Sequence, residues 1–167
     1  AGLVCVAERE SGTLFALNEA TGEVVWRFVS ASRIDSPPTF SKGTVIFGSR
    51  DGIVHCLRTR DGQVVWELEA AGSRSYFNVE GRLESVHPVS GSVLVWKSLA
   101  YLLAGRSSYL DGGIDLYGVE PATGRVVFRR KIYSPDPRTG RQPSQYGPAS
   151  MPGALEDILS AGSKYIY

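Results

Sequence analysis

The chain of 167 residues has the length of one domain and an almost balanced charge, with 18 basic and 17 acidic side chains. Hydrophobic residues make up 43% and charged residues 21%, so we expect it to fold around a core. The charge balance argues against a general nucleic-acid binder, which shows a basic excess. No apolar run is long enough to cross a membrane, and residues 1–6 lack the features of a signal peptide.

Short segments rich in β-branched and aromatic residues, bounded by Gly, Pro, Ser and Asp, follow one another along the chain. They predict strands near 3–8, 13–18, 23–29, 37–41, 44–49, 53–58, 63–69, 91–96, 99–104, 114–119, 125–132, 157–160 and 164–167. No segment has a long 3.6-residue period. Gly62 lies where a tight hairpin turn needs a positive φ, and Gly43 and Gly162 mark further hairpins. The sequence therefore predicts an all-β fold.

One phrase recurs three times, at residues 16–26, 55–66 and 116–128. Trp26 and Trp66 lie 40 residues apart, and Phe128 follows Trp66 after 62 residues, which is one period plus an insertion. A period of about 40 residues made of short strands is typical of a β-propeller blade, whose four antiparallel strands run from A (innermost) to D (outermost). We expect the aromatic residue of each repeat to pack on strand D. The positions that define the repeat are Thr21, Gly22, Trp26, Asp61, Gly62, Trp66, Thr123, Gly124 and Phe128.

The predicted strands fill a little over three blades, within one partial propeller domain spanning residues 1–167. The expected blade segments are 1–30, 31–70, 84–133 with insertions, and 154–167 as the start of the next blade. Because propellers close with four to eight blades, we expect an incomplete arc. A lone arc exposes sheet edges, so further blades or self-assembly of several copies would have to close it.

The phrase resembles the PQQ-like repeat of bacterial β-propellers. The matching residues are Ala16, Leu17, Asn18 (in place of Asp), Thr21, Gly22, Val24, Val25 and Trp26, and the later copies depart from the pattern at Arg60–Asp61 and at Phe128. The resemblance implies an arc of a seven- or eight-bladed propeller in an extracytoplasmic protein, periplasmic or exported. Members of this family include quinoprotein dehydrogenases, outer-membrane assembly lipoproteins and receptor sensor domains, so the resemblance leaves the function open.

All three long connections are expected on one face of the propeller. Strands of a blade alternate in direction, so the B-to-C loops and the D-to-A crossings share a face, and residues 70–90, 105–113 and 133–156 all belong to these connections. We call this the loop-rich face, and it is the candidate binding face because loops on rigid scaffolds carry function. Its candidate binding residues are Arg74, Tyr76, Phe77, Arg82, Glu84, His87, Arg106, Tyr109, Asp111, Asp115, Tyr133, Arg138, Arg141 and Tyr146. An ordinary polar loop surface is the alternative.

Few residues indicate catalysis. Glu84 and His87 could form an acid–base pair, but nothing marks a nucleophile. Arg106, Asp111 and Asp115 could form an ion-pair cluster that pins the insertion, and the two aspartates alone are too few for a calcium site. His55 alternates with apolar residues on a strand and is expected in the core.

Cys5 and Cys56 are expected as two small buried residues, with a disulfide as the alternative. They cannot form the ring of adjacent cysteines that many PQQ enzymes carry, and no cofactor is predicted. The favoured function is a non-catalytic module that presents the loop-rich face to a protein or small ligand, without nucleic acid. The first alternative is part of a quinoprotein-type oxidoreductase, using PQQ with calcium, whose site is completed by further blades. The second is a sensor or assembly domain fused to other modules.

Overall fold

The structure, a computed structural model, describes residues 2–72, 75–79, 81–135, 138–140, 154–156 and 158–167. Its strands are β1 (Leu3–Glu8), β2 (Thr13–Asn18), β3 (Val24–Val29), β4 (Thr39–Ser41), β5 (Thr44–Gly48), β6 (Ile53–Arg58), β7 (Val64–Glu69), β8 (Tyr76–Val79), β9 (Arg82–Ser85), β10 (Leu94–Trp96), β11 (Leu99–Ala104), β12 (Ile114–Val119) and β13 (Val126–Ile132). Across the described residues, no helix has the length and apolarity needed to span a bilayer.

The strands form antiparallel sheets in which neighbours in sequence are neighbours in space. Strands β1–β3 form a three-stranded blade, while β4–β7 and β10–β13 form four-stranded blades. Two innermost strands are shorter than predicted. The strand expected at 37–41 spans only Thr39–Ser41, and the one expected at 91–96 spans only Leu94–Trp96. Pro37 and Pro38 have no amide N–H to donate to a strand ladder, which accounts for the first difference.

The core lies between the blades. One apolar cluster joins the first two blades and includes Leu14, Ile34 and Phe47, all nearly inaccessible to solvent. A larger cluster joins the second and third blades and includes Ile46, Val89 and Leu102. Stability of the arc therefore comes from packing between sheets, so that each blade depends on its neighbour.

Each tryptophan of the repeat links its blade to the next, through what we call a tryptophan junction. Trp26 Nε1 donates a hydrogen bond to the Thr59 carbonyl oxygen at 2.8 Å, and Trp66 Nε1 donates to the Pro121 carbonyl oxygen at 2.9 Å. A Cβ atom added at Gly62 would lie 2.7 Å from the Trp26 ring, and one at Gly124 would lie 2.7 Å from the Trp66 ring. The repeat glycine thus provides both a positive φ and room for the preceding blade's indole.

A small residue stands opposite each repeat aromatic on strand C. Ala16 pairs with Trp26, Cys56 with Trp66, and Gly118 with Phe128, and the register shifts directly after each of these residues. Phe128 has no N–H to donate, and its ring packs near Tyr101 at a centroid distance of 6.0 Å. The third repeat therefore keeps the local packing of the aromatic but not its hydrogen bond.

Strands were predicted near 157–160 and 164–167, and the described residues there form no strand. They make a short hairpin with a single bridge between Ala161 and Ile166, and Ser160 and Tyr167 exchange both backbone hydrogen bonds. Gly162 lies in its turn, donating to the Tyr165 carbonyl oxygen at 2.9 Å. An isolated two-stranded hairpin is marginal without further strands. The prediction of strands here was wrong, although the pairing it implied is present.

The sequence reasoning missed the hairpin of β8 and β9 inside the first insertion. Its segments mix polar and apolar residues, so they lack the clear strand signal of the blades. Its turn has a recognisable basis, because Gly81 adopts a positive φ and its N–H donates to Asn78 Oδ1 at 2.8 Å.

Both cysteines are free, so the disulfide alternative is wrong. Cys56 is buried in the core between the second and third blades, whereas Cys5 is half-buried on β1. Burial raises the pKa of both thiols, which keeps them protonated and unreactive at neutral pH.

Candidate binding face

The three insertions meet on the loop-rich face, and the middle one contacts the other two. Gly105 N–H donates to the Pro88 carbonyl oxygen at 3.0 Å, which ties it to the first insertion. Ser108 N–H donates to the Ala154 carbonyl oxygen at 2.9 Å, and Ser134 N–H donates to the Ser108 carbonyl oxygen at 3.0 Å. The loop-rich face is therefore one connected surface.

The candidate binding residues fall into an exposed and a buried group. Tyr76 and Tyr133 are exposed, each at 43%, and Leu83, which shares the β8–β9 hairpin with Tyr76, is 64% exposed. Arg138 and Asp111 are also exposed, whereas Phe77, Arg82, Arg106 and Tyr109 are half-buried. Glu84, His87 and Asp115 are buried. Arg74, Arg141 and Tyr146 lie outside the described residues.

Glu84 is the centre of an ion-pair network instead of a contact surface. Arg33 Nη2 donates to its Oε1 at 2.6 Å, and Arg50 Nη1 donates to its Oε2 at 3.0 Å. Arg50 also pairs through Nε with Asp35, which Arg9 Nε contacts at 2.7 Å. Burial alone would raise the pKa of Asp35, but the hydrogen bonds from Arg50 and Arg9 hold it below its ordinary value. The network links the B-to-C loops of two blades to the β8–β9 hairpin.

The expected ion-pair cluster is divided in two. Arg106 pairs with Asp111 within the middle insertion, and its guanidinium carbon lies 4.9 Å from the centre of the Phe77 ring. Asp115 is 1% exposed and instead accepts from Arg129 at 2.8 Å and from Lys131 at 3.0 Å. Burial opposes its ionisation, yet these two cations keep its pKa below the ordinary value. Asp115 therefore anchors β12 to β13 and contributes no exposed group to the face.

Glu84 and His87 do not form the acid–base pair that the sequence suggested, because each is bonded to other groups. His87 Nε2 donates to the Asp111 carbonyl oxygen at 2.9 Å, and Glu84 is fully engaged by arginines. His87 Nδ1 is buried without a partner in the described part of the chain. This histidine thus fastens the first insertion to the second.

A serine–histidine–carboxylate series occurs in the second blade, where Ser49 lies in the B-to-C loop and His55 and Glu67 lie on β6 and β7. Ser49 Oγ lies 3.1 Å from His55 Nε2, and His55 Nδ1 lies 2.8 Å from Glu67 Oε1. Ser49 is completely buried, its hydroxyl also contacts Asp51, and His55 stacks on Phe47 at 5.2 Å. No substrate can reach the hydroxyl, so these contacts pack the blade, as expected for a core histidine.

An arginine recurs in the B-to-C loop of each of the three blades that the structure describes, and sequence reasoning missed the pattern. Arg9 follows β1, Arg50 lies two residues after β5, and Arg106 lies two residues after β11. Arg9 and Arg50 border a pocket of about 430 Å³ on the loop-rich face, together with residues of the D-to-A crossings. Aligning the three repeats beyond the tryptophan phrase would have found this position.

Comparison with known proteins identifies the family. The family model described as "Outer membrane protein assembly factor BamB" matches residues 1–146. The outer membrane protein assembly factor BamB of Yersinia pestis is 34% identical over 160 residues, covering 75% of this chain and 40% of that protein. The polyvinylalcohol dehydrogenase of Sphingopyxis sp. (strain 113P3) is 26% identical over 132 residues, covering 68% of this chain and 20% of that protein.

Solved structures share the fold. BamB from Moraxella catarrhalis superposes with a TM-score of 0.57 at 19% identity, covering 77% of this chain and 33% of that one. The quinohemoprotein alcohol dehydrogenase from Comamonas testosteroni superposes with a TM-score of 0.65 at 18% identity, covering 83% of this chain and 21% of that one. The chain spans 32% to 40% of the length of the BamB relatives it matches. The match over residues 1–146 places the chain in the family of the outer membrane protein assembly factor BamB, and its blades are those of a β-propeller with PQQ-like repeats.

Proposed function

We propose that this chain is a non-catalytic, protein-binding part of an outer-membrane protein assembly factor, and that it acts outside the cytoplasm. The BamB relatives support the process and the compartment. The observation that carries the proposal is the loop-rich face, where three insertions join into one surface bearing the exposed side chains of Tyr76, Leu83 and Tyr133. Tyrosines and apolar side chains on a preformed surface are suited to a protein partner.

Site-specific photocrosslinking tests this proposal. A photoreactive residue replaces Tyr76, Leu83 or Tyr133 in the full-length protein, which is mixed with purified outer-membrane assembly machinery. The matched control positions are Lys42 and Arg60, in the A-to-B and C-to-D turns of the second blade on the opposite face. We expect adducts with a component of the machinery from the three face positions and none from the controls. Adducts from the controls alone, or from no position, would contradict the proposal.

The second candidate is an oxidoreductase, which the likeness to polyvinylalcohol dehydrogenase favours. The described residues do not fit a calcium-assisted quinone, because Asp111 and Asp115 are each already paired with different cationic side chains. Across the described ranges, no group of three His, Cys, Asp or Glu side chains converges as a metal site requires. Dye-linked dehydrogenase activity of the full-length protein supplied with PQQ and calcium would favour this candidate over the first.

A further inference from the structure

The pocket beside the recurring arginines is built from several elements. It has a volume of about 430 Å³ and lies where the D-to-A crossings enter the inner strands. The B-to-C loops of the first two blades supply Arg9 and Arg50, and the crossings supply Asp35, Ser90 and Glu156. The proposed protein-binding function gives this pocket no role, since the exposed tyrosines lie elsewhere on the face.

The two arginines retain donors that the described chain does not use. Arg9 contacts Asp35 through Nε alone, and Arg50 uses Nε for Asp35 and Nη1 for Glu84. Both Nη groups of Arg9 and the Nη2 group of Arg50 therefore have no hydrogen-bond partner among the described residues. A guanidinium group presents its N–H donors in a planar fork that matches a carboxylate.

Two further polar groups of the pocket are unsatisfied. Glu156 Oε2 and Ser90 Oγ are buried, and neither has a hydrogen-bond partner within the described ranges. Burial raises the pKa of Glu156 to about 7, although its own backbone N–H, Arg50, the nearby Ser90 hydroxyl and Arg106 act in the opposite direction. A buried polar atom without a partner is costly, so a ligand that bonds to it gains affinity.

The charges around the pocket favour an anion when Glu156 is protonated. Three guanidinium groups, those of Arg9, Arg33 and Arg50, face two carboxylates, those of Asp35 and Glu84. Arg106 is offset by its own partner, Asp111. A protonated Glu156 therefore leaves one positive charge in excess, and an ionised Glu156 cancels it.

The geometry points to a subsite for a single carboxylate on an acidic segment of the protein partner, an inference that rests on the proposed function. The ligand carboxylate accepts hydrogen bonds from Arg9, Arg50 and Ser90, and from the protonated carboxyl group of Glu156. One excess positive charge matches one carboxylate. The subsite thereby recognises an acidic side chain of the partner, in addition to the contacts that the apolar and aromatic surface around Tyr76 and Leu83 makes.

The subsite predicts a defined pH dependence. Only the protonated form of Glu156 donates to the ligand, so affinity is full below pH 7 and falls as the pH rises through that value. Between pH 6 and pH 8 we expect a loss of about tenfold, because the protonated fraction falls by that factor when the pKa is near 7. By linkage, the bound carboxylate raises the pKa of Glu156. The charged groups near this carboxyl are Arg9, Asp35, Arg50 and Arg106.

An NMR titration tests the inference. The probes are blocked glycine pentapeptides with a central glutamate, glutamine or lysine, added to the ¹⁵N-labelled full-length protein at pH 6 and pH 8. We expect the glutamate peptide to shift the amide signals of Ser36 and Gly91 at the pocket, and the glutamine and lysine peptides to leave them unchanged. Glu156→Gln should bind the glutamate peptide equally at both pH values, since its amide side chain cannot ionise.

Matched arginine variants complete the test. Arg9→Gln should weaken glutamate-peptide binding at least fivefold, whereas Arg60→Gln on the opposite face should leave it unchanged. The amide spectrum of each variant reports whether it is folded. Binding that is independent of pH, preference for the lysine peptide, or acetate or inorganic phosphate binding as tightly as the peptide would each overturn the subsite. Photocrosslinking from Tyr76 that persists in Arg9→Gln and Glu156→Gln would leave the proposed function standing in that event.

Discussion

The tryptophan junctions and the loop-rich face hold the same blades together by opposite means. Each junction repeats one arrangement, in which an indole donates to a carbonyl oxygen and packs on a glycine of the next blade. The loop-rich face repeats little beyond one arginine per blade and joins its parts through buried charges around Glu84. The difference shows that the repeat encodes assembly of the arc, while the individual features of the chain are concentrated on one face.

Removing a junction should have the largest effect. Trp66→Ala deletes a ring that is 8% exposed and leaves a cavity between the second and third blades, so we expect a loss of about 3–5 kcal/mol in unfolding free energy. Urea denaturation of the variant measures it. Trp96→Ala serves as the control, because Trp96 is half-buried, and should cost less than half as much. Equal losses at both positions would mean that the junction has no special role.

Breaking the ion-pair network around Glu84 tests how much the buried charges of the loop-rich face contribute to stability. Glu84→Gln leaves Arg33 without its carboxylate in a buried site, which should cost about 3 kcal/mol. Glu120→Gln removes an exposed ion pair with Arg125, and we expect no measurable change in the same urea experiment. If Glu84→Gln left the unfolding free energy unchanged, the network around Glu84 would not stabilise the loop-rich face.

The repeat glycines allow the junction to be separated from backbone strain. Gly22 and Gly62 have nearly the same φ, +72° and +69°, yet a Cβ atom at Gly22 meets no atom within 4 Å. Gly22→Ala should therefore cost only the strain of a positive φ, about 1 kcal/mol. Gly62→Ala also forces the Trp26 ring to move, and we expect about 1–2 kcal/mol more. Identical costs in urea denaturation would contradict the packing role of Gly62.

Acid should weaken the third blade through Asp115, with the smallest effect of the four. Its folded-state pKa is lowered by Arg129 and Lys131, so its contribution is complete above the unfolded value of about 4 and is lost as the pH falls through the folded value. We expect Asp115→Asn to lower Tm at pH 7 by an amount equivalent to about 1 kcal/mol and to flatten the fall in Tm below pH 4. Asp111→Asn controls for the change in net charge. A parallel pH profile in Asp115→Asn and the unsubstituted chain would exclude this contribution.

The blades were predictable because their signals are local. Alternating apolar residues, turn glycines and the tryptophan phrase all lie within about a dozen residues, and eleven of the predicted strands overlap observed ones. The network around Glu84 was not predictable, since Arg33 and Arg50 reach it from 51 and 34 residues away. The β8–β9 hairpin was not predicted for another reason, which is that its polar composition resembles that of a loop.

The sequence predicted which loops share a face, but not which of their residues are exposed. The long connections were predicted to share one face, and the structure joins their described parts into one surface, while its role in binding stays a prediction. Residue type alone could not separate exposed Tyr76 from buried Glu84, because burial depends on which partners the fold brings near. Glu156 and Asp35 were missed for the same reason, and their role in binding stays a prediction.

The order of strands has a consequence for how the arc folds. Every blade pairs strands that are consecutive in the chain, so each sheet can form from local contacts and without a long loop to close. A tryptophan junction, however, forms only after the next blade exists, because the carbonyl oxygen that accepts the Trp26 hydrogen bond belongs to Thr59, 33 residues later. During synthesis, we therefore expect each of the first two blades to leave one indole open to solvent until the next blade forms. We therefore expect the blades to dock one after another from the N-terminus, and the newest blade to be the one most open to misassembly.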